Sequence, residues 1–153
     1  MPAALNGHVE VLKVLLEKGA EVNAAASDGS TALMVAAHEG QAEAVRFLLA
    51  RGADPNIKMT TGATALFFAA AGNKTETVIA LLEKGLDVNA SAKDGTTPLM
   101  VAAAQSEPAV LQLLIEKGAD LNAKTVDGKT ALSIALKANR KEAAELLRKA
   151  GAK

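Results

Sequence analysis

Four threonines, Thr31, Thr64, Thr97 and Thr130, each stand before an apolar run: "STALMVAA", "ATALFFAA", "TTPLMVAA" and "KTALSIAL". A threonine there suits the N-cap of a helix, where its oxygen takes a free backbone N–H. Pro98 follows Thr97 at the first helical position, where a missing N–H costs nothing. These helices are predicted to end near Gly40, Asn73 and Asn139, residues that tolerate the left-handed cap. Ser106 departs from that pattern and predicts a differently built turn. A second set of helices is predicted over roughly 9–18, 42–51, 75–84, 108–117 and 141–149. The first four close on Lys or Arg followed by Gly, which suits both the helix dipole and the cap. Asp28-Gly29, Asp94-Gly95 and Asp127-Gly128 are turn dipeptides at the tips of loops, and Thr61-Gly62 keeps only the glycine.

The pattern repeats. Gly19, Gly52, Gly85, Gly118 and Gly151 are 33 residues apart, and Gly29, Gly62, Gly95 and Gly128 keep the same step. So do Asn23, Asn56, Asn89 and Asn122, with no insertion or deletion in the register. Apolar columns keep it too: Leu15, Leu48, Leu81, Leu114 and Leu147; Leu33, Leu66, Leu99 and Leu132; Val35, Phe68, Val101 and Ile134. A block this short cannot bury such faces alone, so stacking of blocks must create the core.

The period and the four Thr-led segments make the chain resemble the ankyrin repeat, whose unit carries a T-P-L-H-x-A segment. The resemblance covers essentially the whole chain. It implies an all-α solenoid of helix–turn–helix units with protruding β-turn-like loops. The chain is expected to be one repeat domain, 1–153, with a partial first repeat (1–25) and full repeats at 26–58, 59–91 and 92–124. A C-terminal capping repeat is expected over 125–153, where Lys141, Arg148 and Lys149 sit among alanines. The first unit lacks most of its first helix, and its second keeps an interior pattern at Val9, Val11, Leu12 and Val14. The expectation is a fragment, an internal-start product, or a face that meets another body.

Composition narrows the function. Half the residues are apolar, yet only three are Phe and none is Tyr or Trp, so the core must be aliphatic. Lys plus Arg and Asp plus Glu are 17 each, leaving no net field to draw in nucleic acid or an anionic membrane. Stacking aromatics for single strands are scarce as well. With no cysteine, thiol catalysis and Cys-ligated zinc are excluded. No signal peptide or membrane-spanning run is evident.

Candidate chemistry is sparse. His38-Glu39 could open a zinc-protease helix, but the second histidine it needs four residues on is Ala42, beyond the helix end at Gly40. His8, after Gly7, is expected to play a structural part, its ring hydrogen-bonding across the turn. Two histidines about one repeat apart assemble no nucleophile–base set. Glu10, Glu43, Glu76 and Glu142 recur at one position and read as a solvated helix face. No phosphate-loop pattern is present. No metal or cofactor is expected, and no enzyme.

The resemblance implies instead a scaffold that binds another protein through loop tips and the exposed side of the first helices. The candidate contacts begin with Met34, His38, Glu39, Lys58 and Phe67. Lys93, Asp94, Met100 and Gln105 continue the face, and Lys124, Asp127, Lys129 and Lys137 end it. Met34, Phe67 and Met100 stand where the family often has the histidine of its motif; they either pack along the stack or form an apolar stripe open to the groove. The downstream lysines, Lys93, Lys124, Lys129 and Lys137, suggest an acidic partner surface. A spacer segment of a longer array and an engineered binder are the alternatives. The chain is expected to be a monomer that can self-associate through its uncapped first unit.

Overall fold

The structure is a computed structural model describing residues 1–105 and 107–153, so the turn expected at Ser106 lies outside the described residues. Threonine caps open four helices: α3 (Ala32–Glu39), α5 (Ala65–Ala71), α7 (Pro98–Ala103) and α9 (Ala131–Lys137). Thr31 and Thr97 accept the N–H of Met34 and Met100 at 3.4 and 3.3 Å. Thr130 forms a reciprocal box with Ser133. Thr64 takes the same extended backbone, but its buried hydroxyl has no partner among the described residues. The cap bonds of Thr31 and Thr97 are themselves long, so a small shift at Thr64 is enough to lose one. At the far ends Gly40, Asn73 and Asn139 all take positive φ, at 80°, 53° and 55°, as the sequence predicts.

The remaining helices are α1 (Pro2–Leu5), α2 (Val9–Glu17), α4 (Ala42–Ala50), α6 (Thr75–Leu82), α8 (Ala109–Glu116) and α10 (Lys141–Lys149). Among the described residues there are no strands, only an isolated bridge between Ala25 and Thr31. Among the described residues no helix is long and apolar enough to cross a membrane. The helices form two layers. An inner row runs α1, α3, α5, α7, α9, and an outer row α2, α4, α6, α8, each helix packed on the next. Helix α10 packs on α9.

Stacking makes the core, as the columns require. Leu33, Leu66 and Leu99 are buried, and so are Leu48, Leu81, Leu114 and Leu147. The alanines of the inner helices, among them Ala36, Ala37, Ala69, Ala70, Ala102 and Ala103, are buried too and let neighbouring helices approach closely. Helix α10 buries Ala143, Ala144 and Leu147 and turns Lys141, Arg148 and Lys149 to solvent. Helix α2 behaves differently. It buries Leu12, while Val11, Val14 and Leu15 are exposed, its main helical neighbours among the described residues being α1 and α4. His8 lies exposed at the N-cap of α2, and its ring makes no hydrogen bond among the described residues, against the cross-turn role expected of it.

Polar side chains tie successive blocks together. Asn23 Oδ1 accepts the N–H of Asp54 at 2.8 Å, Asn89 Oδ1 that of Asp120 at 2.8 Å, and Asn122 Oδ1 that of Lys153 at 2.9 Å. At three of its four positions the recurrent asparagine is therefore a linker between neighbours. Gln41 Nε2 donates back to the carbonyl of Leu5 at 3.1 Å, and Arg140 Nε to that of Ala104 at 2.9 Å, each serving a carbonyl left open at the end of an inner helix.

Candidate partner-binding face

The loops between α2 and α3, α4 and α5, α6 and α7, and α8 and α9 are tight hairpins. Ala26 N–H donates to Ser30 O, Met59 to Ala63, Ala92 to Thr96, and Thr125 to Lys129, all at 2.9–3.0 Å. The hairpins are joined edge to edge. Thr60 N–H donates to Asp28 O at 2.9 Å, Lys93 to Thr61 at 2.9 Å, and Val126 to Asp94 at 2.8 Å. One bond per joint thus runs the length of the stack. Side-chain bonds hold the tips: Asp28 Oδ1 accepts Ser30 N–H, and Asp94 Oδ1 accepts Thr96 N–H, both at 2.9 Å. Both carboxyls are held below the usual aspartate range, Asp28 by the hydroxyl and then the N–H of Ser30, Asp94 by the N–H and then the hydroxyl of Thr96. Asp127 instead meets Lys129 Nζ at 3.2 Å.

Between the hairpins and the inner helices lie three depressions in a row. The first, of 320 Å³, is lined by Val35, His38, Glu39, Met59 and Phe68, among others. The second, of 480 Å³, shares Met59 and Phe68 and adds Phe67, Lys93 and Asp94. The third, of 560 Å³, shares Asp94 and Thr96 with the second and adds Val126, Lys129, Ile134 and Lys137. The shared walls make the row one continuous groove. Phe68 stands near its upstream centre, with the Phe67 ring edge-on at 5.9 Å and the His38 ring edge-on at 6.3 Å. Val126 on the last hairpin is 81% exposed.

Most of the residues expected on this face are found there, with one correction. Met34 is 2% exposed and Met100 1%, so they pack along the stack and are not an accessible apolar stripe. Met34 touches the first depression only as a buried floor residue, and of that trio Phe67 alone is half-exposed in the groove. The open apolar column is the next one along the helix: Val35, Phe68, Val101 and Ile134 are half-exposed, and Met59 joins them from a hairpin. Residues 34 and 35 are about 100° apart around a helix. Flanking inner helices cover the first direction and leave the second facing the groove. Lys58 and Lys124 are exposed at the bases of hairpins, outside the three depressions, and Gln105 is half-buried near the end of α7.

His38 Nδ1 lies 3.0 Å from Glu39 Oε1. Among the described residues no third His, Asp or Glu gathers with them into a metal-holding group. Both side chains are exposed, and the pair belongs to the groove's polar rim.

No curated protein matches the chain in sequence. The family profile for ankyrin repeats in three copies matches residues 1–59, 56–125 and 91–153, spanning the whole length. Helices opened at a threonine position, edge-bonded hairpins and, at three of four positions, asparagine linkers recur on the same period, and the chain belongs to the ankyrin-repeat family.

Proposed function

We propose that this chain is a non-catalytic scaffold that holds a partner protein in the groove between its hairpins and inner helices. Ankyrin repeats are generally protein–protein interaction modules and typically non-catalytic. The observation that supports the reading here is the continuous row of depressions, apolar at Val35, Met59, Phe68 and Ile134 and rimmed by exposed charge. An apolar centre inside a polar rim is the usual anatomy of a protein interface. The residues proposed for contact are His38, Glu39, Phe67, Lys93, Asp94, Asp127, Lys129 and Lys137, with Phe68, Met59, Ile134 and Val126 added; Lys58, Gln105 and Lys124 flank them. The chain acts as a monomer in this role.

Blocking the groove tests the proposal. Thr61 and Val126 are exposed on hairpins that line it, so Thr61→Arg with Val126→Arg fills the space without touching the core. Quantitative affinity capture of the native partner is expected to fall about tenfold or more for this variant. Glu43→Arg, on the outer helix α4, should leave capture unchanged. Equal capture by the blocked variant, with an unchanged far-UV circular dichroism spectrum, would remove the groove from consideration.

A further inference from the structure

The groove carries a gradient of charge along its length. At the upstream end Asp28 and Glu39 line the groove and Lys58 flanks it; from the second depression downstream Lys93, Lys129 and Lys137 line it and Lys124 flanks it, against Asp94 and Asp127. The two downstream aspartates are already engaged, Asp94 by Thr96 and Asp127 by Lys129. Lys93, Lys124 and Lys137 are exposed and join no ion pair among the described residues. Apolar lining runs beneath this gradient from Val35 and Phe68 to Ile134 and Val126.

From this we propose that the occupant is a single segment of the partner carrying two apolar anchors, with carboxylates clustered on one side of them. The anchors fill depressions beside Phe68 and Ile134, and the carboxylates lie toward Lys93, Lys124 and Lys137. The proposal rests on the groove being the docking surface and adds the chemistry and direction of what docks. Spacing follows from the stack. Phe68 on α5 and Ile134 on α9 are separated by α7, and with neighbouring helices roughly 8–10 Å apart the two anchors lie about 16–20 Å apart. An extended chain covers this in about five or six residues and a helix in about twelve. Charge of the opposite sign at one end fixes the direction of docking and speeds encounter. A neutral or basic segment would gain the apolar contacts but leave the lysines unmatched.

The test is to pan a displayed library of random 16-residue peptides against the intact chain at low salt. Enriched peptides are expected to hold two apolar residues about five or six apart, or about twelve apart if helical, with Asp or Glu grouped beside them. By fluorescence anisotropy, Lys93→Glu with Lys137→Glu should weaken these peptides about tenfold at low salt, with the difference shrinking as salt rises. Thr61→Arg with Val126→Arg should abolish binding, and Glu43→Arg should not. Peptides that bind the groove without grouped carboxylates, or peptides rich in Lys and Arg, overturn the proposal and leave the docking surface standing. Binding that survives the blocked groove overturns both. Failure to enrich any sequence overturns the proposal.

Discussion

Leu81→Ala should destabilise the chain by about 3 kcal/mol, while Leu15→Ala should cost less than about 1 kcal/mol. The two leucines occupy the same place in their helices, α6 and α2, and would be interchangeable if each block folded by itself. They differ in surroundings. Leu81 is fully buried between neighbouring helix pairs, whereas Leu15 is 45% exposed. Removing a buried leucine loses its transfer free energy and leaves a cavity that the packed helices fill only in part. Removing a half-hydrated one loses less area and opens no cavity. Urea unfolding followed by circular dichroism measures both. Equal costs would mean that the column is not a stacked core, and the architecture would have to be abandoned.

The second large effect concerns the hairpins. Gly62 has φ of +87°, and a Cβ there would lie 2.8 Å from the backbone nitrogen of Lys93 and 3.2 Å from the Cα of Ala92. Gly85 has a similar φ of +78°, but a Cβ there meets nothing within 4 Å. Gly85→Ala should therefore cost only the left-handed conformation, about 1 kcal/mol. Gly62→Ala adds a collision with backbone on the next hairpin, beside the bond from Lys93 N–H to Thr61 O. A total of about 2–4 kcal/mol is expected. The same change should weaken partner capture, because Thr61, Lys93 and Asp94 line the second depression. Matching losses of stability for the two variants would show that the hairpins do not lean on one another.

Much of this fold is legible in the chain because its signals are local and repeated. Thr97-Pro98 opens a helix wherever it sits, and Asp94-Gly95 turns a loop for reasons contained in those two residues. The period then multiplies a weak local signal until chance is no explanation. The asparagine column was visible as a repeat, but its role was not: Asn89 serves Asp120, a residue 31 positions on, and that pairing exists only after stacking. The same limit explains the groove. Met34 and Val35 are both apolar and adjacent, and nothing local distinguishes the one that packs from the one that faces outward. Position in the motif pointed to Met34, while the approach of α1 and α5 on either side of α3 closes over it. Phe68 reads as core for the same reason. Leu15 shows the reverse case, a residue with core identity whose burial depends on a neighbour on each side. The lysines were legible because an exposed charge needs no packing to be recognised.

The groove's role is most directly tested by site-specific photo-crosslinking in extract of the organism that makes the protein. A photoreactive amino acid is placed singly at Thr61 or Val126 on the hairpins, and at Glu43 or Gln112 on the outer helices, all four exposed. The expected result is one discrete adduct, the same protein from Thr61 and Val126, and none from Glu43 or Gln112. Adducts formed from the outer helices alone, or equally from both sides, would contradict a partner held between hairpins and inner helices.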